Sequence, residues 1–198
     1  MTFSLPGKKT KQRLETGQRL FRNGLRYKTL SQQAKQKGFV APAQIIVGKA
    51  EGDYIWDLDG NQFIDFQNGW ATNPLGNCHP EIIEAVHSAH KRWGYHWEHP
   101  LRFELAEKLA EIMPGQQLPR FSFEVSGTEA VESAVHLALC HTQRRHIISF
   151  TSAFHGEGLG TKMISGYSSG NNLYMEAWTG GVIKAPYPYS EQIPAGMT

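Results

Sequence analysis

A tight Ser-Gly-Thr-Glu turn between a short apolar run and an amphipathic stretch constrains this chain more than any other feature. Residues 121–156 read FSFEVSGTEAVESAVHLALCHTQRRHIISFTSAFHG. Residues 121–125 are a short β-type run. From Ala130 to about Thr142, Val131, Ala134, Val135 and Ala138 recur at helical spacing. Arg144 and Arg145 follow the helix end, where cations suit its dipole. Residues 146–150 form the next strand. Strand, turn, helix and strand in that order point to a parallel α/β unit.

The turn is where chemistry can sit. Ser126 and Glu129 have the S-x-x-E spacing of a capping box, with Ser126 as N-cap and Glu129 as its reciprocal partner. Gly127 lets the backbone approach a ligand closely. The N–H groups of the first helical turn then face outward and suit an anion such as a phosphate. The plainer reading is that this box only caps a helix, as most such boxes do.

The run VSGTEAVESA (residues 125–134) followed by Phe154-His155-Gly156 resembles the class III aminotransferases, pyridoxal 5′-phosphate (PLP) enzymes of fold type I. The resemblance implies that Ser126, Gly127 and Thr128 hold the PLP phosphate. It also implies that Phe154, with His155 and Gly156, forms the aromatic-His-Gly loop whose ring stacks on the pyridine. That aromatic is often Tyr, so Phe154 keeps the ring and loses the hydroxyl. The implied fold is α/β: a partial PLP-transferase large domain, its sheet mostly parallel, preceded by an N-terminal helix and a β-hairpin segment. Residues 1–74 are expected as the helix and hairpin segment, part of the small domain or dimer arm. Residues 75–198 are expected as an incomplete large domain.

At 198 residues the chain is long enough to bury roughly 70% of its unfolded surface, so a core is expected. A net charge of +2 argues against a dedicated nucleic-acid binder. Cys78 and Cys140 lack paired spacing, which fits a reduced, cytoplasmic compartment. No apolar run approaches the ~20 residues that cross a bilayer. Ten of the twenty Lys and Arg lie in the first 37 residues, where Glu15 is the only acid. With Leu14, Leu20, Phe21 and Leu25 they suggest a basic helix packed on the body or on a second subunit, or docking an acidic partner.

Residues 44–47 read as a strand. Residues 53–58 and 61–66 read as hairpin arms around Asp57-Leu58-Asp59-Gly60. A calcium loop is excluded by spacing. The text GDYIWDLDGNQFIDF is similar to the N-terminal hairpin of the same family. Residues 68–79 are a loop that, by the resemblance, passes the active site, and Trp70 stands where relatives place a substrate-contacting residue. Pro80 opens a helix to about Trp93, with Ile82, Ile83, Val86 and Ala89 on one face. Residues 101–113 form another, with Leu105, Leu109 and Ile112 as its buried stripe and Pro114-Gly115 as its stop. His87, His90, His96 and His99 lack a completing Cys or acid, so no metal site is expected.

Residues 156–162 match neither G-x-x-x-x-G-K-[ST] nor G-x-G-x-x-G and read as a flexible loop. Residues 182–189 resemble the family's next strand and proline turn. The family's Schiff-base lysine and its pyridine-nitrogen acid lie further on, the acid in a D-E-x-Q-type motif. Only Lys162 and Lys184 follow Gly156, neither in that context. The expected function is therefore the N-terminal part of a class III aminotransferase or aminomutase. It would use PLP to move an amino group from a small-molecule donor to an oxo acid or aldehyde, and would be inactive alone. It would act as a homodimer or with a complementary C-terminal chain. The alternative is a non-catalytic subunit or remnant that docks a partner through its basic helix.

Overall fold

The structure, a computed structural model, describes residues 5–21, 36–38, 44–94, 98–118, 120–166 and 180–188. The chain divides into two compact units, Met1–His99 and Pro100–Thr198.

In the first unit, helix α1 (Lys8–Leu20) starts after Gly7, which has no side chain to cap it. The carboxylate of Asp59, on the hairpin turn, caps it instead. It accepts from the Lys9 amide (2.8 Å), the Thr10 amide (3.0 Å) and the Thr10 hydroxyl (2.8 Å). Thr10 is fully buried by this contact. Burial pushes the Asp59 carboxyl up, but the Lys9 and Thr10 donors outweigh it and hold the group below the ordinary aspartate range. Leu20 and Phe21 are exposed, and Leu25 lies outside the described residues.

Strands β1 (Val47–Glu51), β2 (Tyr54–Asp57) and β3 (Gln62–Ile64) form an antiparallel meander. Ala50 pairs with Ile55, and Ile55 with Phe63. The β2–β3 turn is tied by Asp57, which accepts from the Asp59 and Asn61 amides and the Asn61 side chain. Gly60 supplies the required positive φ of 87°. The strand expected at residues 44–47 overlaps β1 only at Val47. The ladder settles on Lys49-Ala50-Glu51, because pairing with β2 rather than local apolarity decides register. Helix α2 (Pro80–Trp93) starts at Pro80 as expected. Ile82, Ile83 and Val86 on its apolar face are 43–58% exposed.

In the second unit, helix α3 (Pro100–Ile112) ends in a single 3₁₀ turn, Pro114–Gln116. The stripe expected to be buried is not: Leu105 is 49% and Ile112 74% exposed, while Leu109 is half-buried. Residues 121–125 pair with no strand among the described residues, so the β-type run there is an unpaired segment. Glu124 lashes it to helix α4 (Gly127–Thr142) by accepting from Ser122 and from Ser133, both at 2.8 Å. Those hydroxyls hold the Glu124 carboxyl low against burial. Strand β4 (Ile147–Phe150) and strand β5 (Val182–Ala185) pair in parallel, with Ile148 opposite Ile183.

Between β4 and β5 the expected flexible loop is partly a helix. Helix α5 (Leu159–Ile164) buries Thr161, Met163 and Ile164. Met163 and Ile164 are the buried apolar side chains among the described residues, so within those residues the expected core is small. A parallel sheet is covered on both faces in a complete fold. Here Ile148 is 70% and Ile183 50% exposed.

Candidate functional site

The mouth of α4 is built as the turn sequence suggests, with one difference. Ser126 is extended, at φ −147° and ψ 160°, and its hydroxyl accepts from the Glu129 amide at 3.3 Å. The Glu129 carboxylate turns back one residue further than a reciprocal box would place it and accepts from the Val125 amide at 3.1 Å. The Ala130 amide bonds the Ser126 carbonyl at 3.0 Å. Within the described residues, the Gly127 and Thr128 amides have no partner, as the first-turn donors of a helix commonly do not. Gly127 sits in helical backbone, and a Cβ added there meets nothing within 4 Å. The fold itself therefore does not require glycine at this position.

The Phe154-His155-Gly156 loop comes to the same place. Gly156 is buried at φ +129°, and a Cβ on it would stand 2.6 Å from Thr128 Oγ1 and 2.8 Å from Thr161 Oγ1. Its backbone thus lies directly against the Thr128 side chain. Phe154 is 64% exposed rather than turned into the interior, and His155 is half-buried. Ser126, Gly127, Thr128 and the 154–156 loop therefore share one region of the second unit.

Glu132 and Ser165, to which local sequence pattern assigns no role, and Lys184 surround that loop and α5. The N-cap of α5 is Gly158, again without a side chain. Glu132 of α4 reaches across, and its Oε1 accepts from the Thr161 amide at 3.3 Å. The Ser165 hydroxyl, buried at the other end of α5, accepts from the His155 amide at 3.0 Å and donates to the Thr161 carbonyl at 2.8 Å. Lys184 of β5 gives its ammonium to the Ile164 carbonyl (2.8 Å), the Ser165 carbonyl (3.0 Å) and Ser149 Oγ (2.9 Å). A cation is well placed at that helix end. Burial pushes the Lys184 ammonium below the ordinary lysine value. The other late lysine, Lys162, pairs with Glu157 at 2.9 Å. No local pattern signals the Glu132 contact, since its partner is 29 residues away.

Trp70 belongs to the first unit and is 83% exposed. It sits on a four-residue turn, Asn68–Ala71, whose residues all have positive φ, between 49° and 63°. Such backbone is strained for residues other than glycine. Asp65 steadies it by accepting from the Gln67 and Asn68 amides, with Asn77 on its other oxygen. His96 lies outside the described residues, and among the described residues no metal-binding cluster occurs. Cys78 and Cys140 are free and exposed. No helix of the described residues is long and apolar enough to cross a membrane.

The family description "Aminotransferase class-III" matches residues 36–196 of this sequence. The chain belongs to the class III aminotransferases. A family relative from Bacillus subtilis, "Probable 4-aminobutyrate aminotransferase", is 36% identical over 174 residues, covering 84% of this chain and 39% of its own. A "Glutamate-1-semialdehyde 2,1-aminomutase" from Chloroherpeton thalassium is 38% identical over 121 residues, covering 60% of this chain and 28% of its own. Among solved structures, an (S)-enantioselective omega-transaminase from Thermomicrobium roseum superposes with a TM-score of 0.73. It is 24% identical and covers 95% of this chain and 42% of its own, so it speaks for the fold. The α/β architecture is thus that of part of a class III aminotransferase. The chain spans 39% of the Bacillus subtilis relative's length and 28% of the Chloroherpeton thalassium one's.

The donor set at the mouth of α4 suits the phosphate of the family's cofactor. Two backbone amides are there to donate, and the nearby acid, Glu129, is folded back onto Val125. The open space where a Gly127 Cβ would be leaves room for a phosphate oxygen to reach the backbone.

Proposed function

We propose that this chain carries the phosphate-holding and ring-stacking part of a PLP-dependent aminotransferase site. The observation that carries the reading is the meeting of the Thr128 side chain, on the helical turn whose Gly127 and Thr128 amides have no partner among the described residues, with the backbone of Gly156. In this reading the two amides and the Thr128 hydroxyl hold the phosphate dianion, aided by the positive end of α4. Phe154 lies against the pyridine ring, with His155 beside it. Trp70 contacts the substrate.

When bound, PLP supplies the electron sink that lets an amino group pass between a small-molecule donor and an oxo acid or aldehyde. The residues described here bind and orient it. They exclude a rotated cofactor by fixing both the phosphate and one ring face. The proton-moving lysine and the acid at the pyridine nitrogen come from sequence outside these 198 residues. Lys184 and Lys162 are committed to the α5 carbonyls and to Glu157. The chain alone is therefore inactive in transamination. It works as a homodimer or with a complementary C-terminal chain, in the cytoplasm. Residues 1–74 form its helix and hairpin segment and residues 75–198 its part of the large domain.

Titration of the full chain with PLP and with pyridoxal, which lacks the phosphate, tests the reading. PLP should bind at least about tenfold more tightly, a difference of about 1.4 kcal/mol or more from charge-assisted donors. Equal affinities would remove the phosphate site. Supplying a chain that carries the missing lysine should add visible absorbance near ~420 nm and transaminase turnover, as expected of a Schiff base on this cofactor.

A further inference from the structure

Two contacts at the ends of α5 have no role in the reading above: one ties α5 to α4, and the other ties it to the loop that carries Phe154. Glu132 projects from the second turn of α4 and takes the place of a missing N-cap side chain on α5. A Cβ on Gly158 would strike Glu132 Oε1 at 2.6 Å and Thr128 Cγ2 at 2.7 Å, so α5 starts in close contact with α4. At the far end of α5, the Ser165 hydroxyl grips the His155 amide while the Lys184 ammonium grips the Ser165 carbonyl. Loop 154–156 is thereby held at both sides. Thr161 of α5, tied to Glu132 of α4, stands against Gly156, and Ser165 at the end of α5, tied to Lys184 of β5, holds the His155 amide. Gly156 is pressed on Thr128 between them.

We propose that Glu132 and Ser165 are positioning residues of the cofactor site, setting where the Phe154 ring stands relative to the phosphate turn. The proposal rests on the PLP reading above. The Gly127 and Thr128 amides stay in α4 whatever α5 does, because Ser126 and Glu124 fix that helix start independently. Losing Glu132 should therefore move the ring and leave the phosphate donors in place. The consequence is a split between two ligands: PLP needs both ring and turn, inorganic phosphate only the turn.

The test titrates the full chain with PLP and, separately, with inorganic phosphate. Glu132→Ala should weaken PLP about tenfold, the worth of one charge-assisted hydrogen bond, and inorganic phosphate less than about threefold. Glu132→Gln keeps an oxygen that accepts from the Thr161 amide, so it should restore most of the PLP affinity. Ser165→Ala should reproduce the split, and it decides the matter if Glu132→Ala does not fold. A parallel fall for both ligands would make the role merely structural and overturn the proposal, as would unchanged PLP affinity. A wild-type chain that binds PLP no better than inorganic phosphate would instead overturn the cofactor reading on which the proposal rests.

Discussion

Replacing Gly156 by alanine tests whether the aromatic-His-Gly loop abuts the turn at residues 126–128. Gly156 adopts φ +129°, a conformation that side-chain-bearing residues rarely adopt. Holding an alanine there costs about 1–3 kcal/mol. The new Cβ would lie 2.6 Å from Thr128 Oγ1, 2.8 Å from Thr161 Oγ1 and 3.1 Å from Thr128 Cβ. Thr161 is fully buried and cannot turn away freely. Overpacking of this kind costs about 1–3 kcal/mol more. The sum, about 2–6 kcal/mol, is a large share of the stability of an ordinary domain. Urea unfolding of the full chain followed by far-ultraviolet circular dichroism measures it. At about 2 kcal/mol per molar, the midpoint should fall by about 1 M or more. Gly180→Ala is the control, because a Cβ there meets nothing within 4 Å. A Gly156→Ala midpoint equal to that of Gly180→Ala would refute the contact between the loop and α4.

Gly127→Ala should behave in the opposite way. Its Cβ meets open space and its backbone is helical, so stability should hold or rise by up to about 1 kcal/mol, while PLP affinity falls at least about tenfold; titration calorimetry and urea unfolding together read both. Lys184→Met removes the ammonium from two α5 carbonyls and should cost about 1–2 kcal/mol after allowance for its solvent exposure, seen as faster amide exchange at Ile164 and Ser165. Asp59 is held low in the folded chain, so its contribution is present above the ordinary aspartate range and is lost as pH falls through the lowered value. Amide protection at Lys9 and Thr10 should therefore collapse in acid, and Asp59→Asn should flatten that pH dependence.

The parts of the fold that follow from local pattern were legible. α4, α2 and α3 show helical spacing or a first-position proline, and β4 is a β-type run, whereas β5 was anticipated by the family resemblance. What could not be read locally depends on partners distant in sequence. α5 hides behind Gly156, Gly158 and Gly160, which look like a mobile loop; its cap comes from Glu132, and no spacing rule connects the two. α1 is capped in the same way by Asp59, about fifty residues on. Residues 121–125 have strand composition, but a strand exists only where another pairs with it. The apolar stripes read on α2 and α3 are not buried: Ile83 and Leu105 are exposed, because burial needs a facing layer. At the site, Ser126 as N-cap was readable from S-x-x-E, whereas the return of Glu129 to Val125 was not. The proximity of Gly156 to Thr128 is a tertiary contact that only the family resemblance anticipated.

The central claim is that the Gly127 and Thr128 amides grip the phosphate of PLP. Proton–nitrogen correlation spectra of the ¹⁵N-labelled full chain, recorded while PLP is added, test it most directly. The account predicts that the Gly127 and Thr128 amide resonances move downfield together with saturation, and that inorganic phosphate moves the same pair. Resonances at those two amides that stay still while others shift would contradict it.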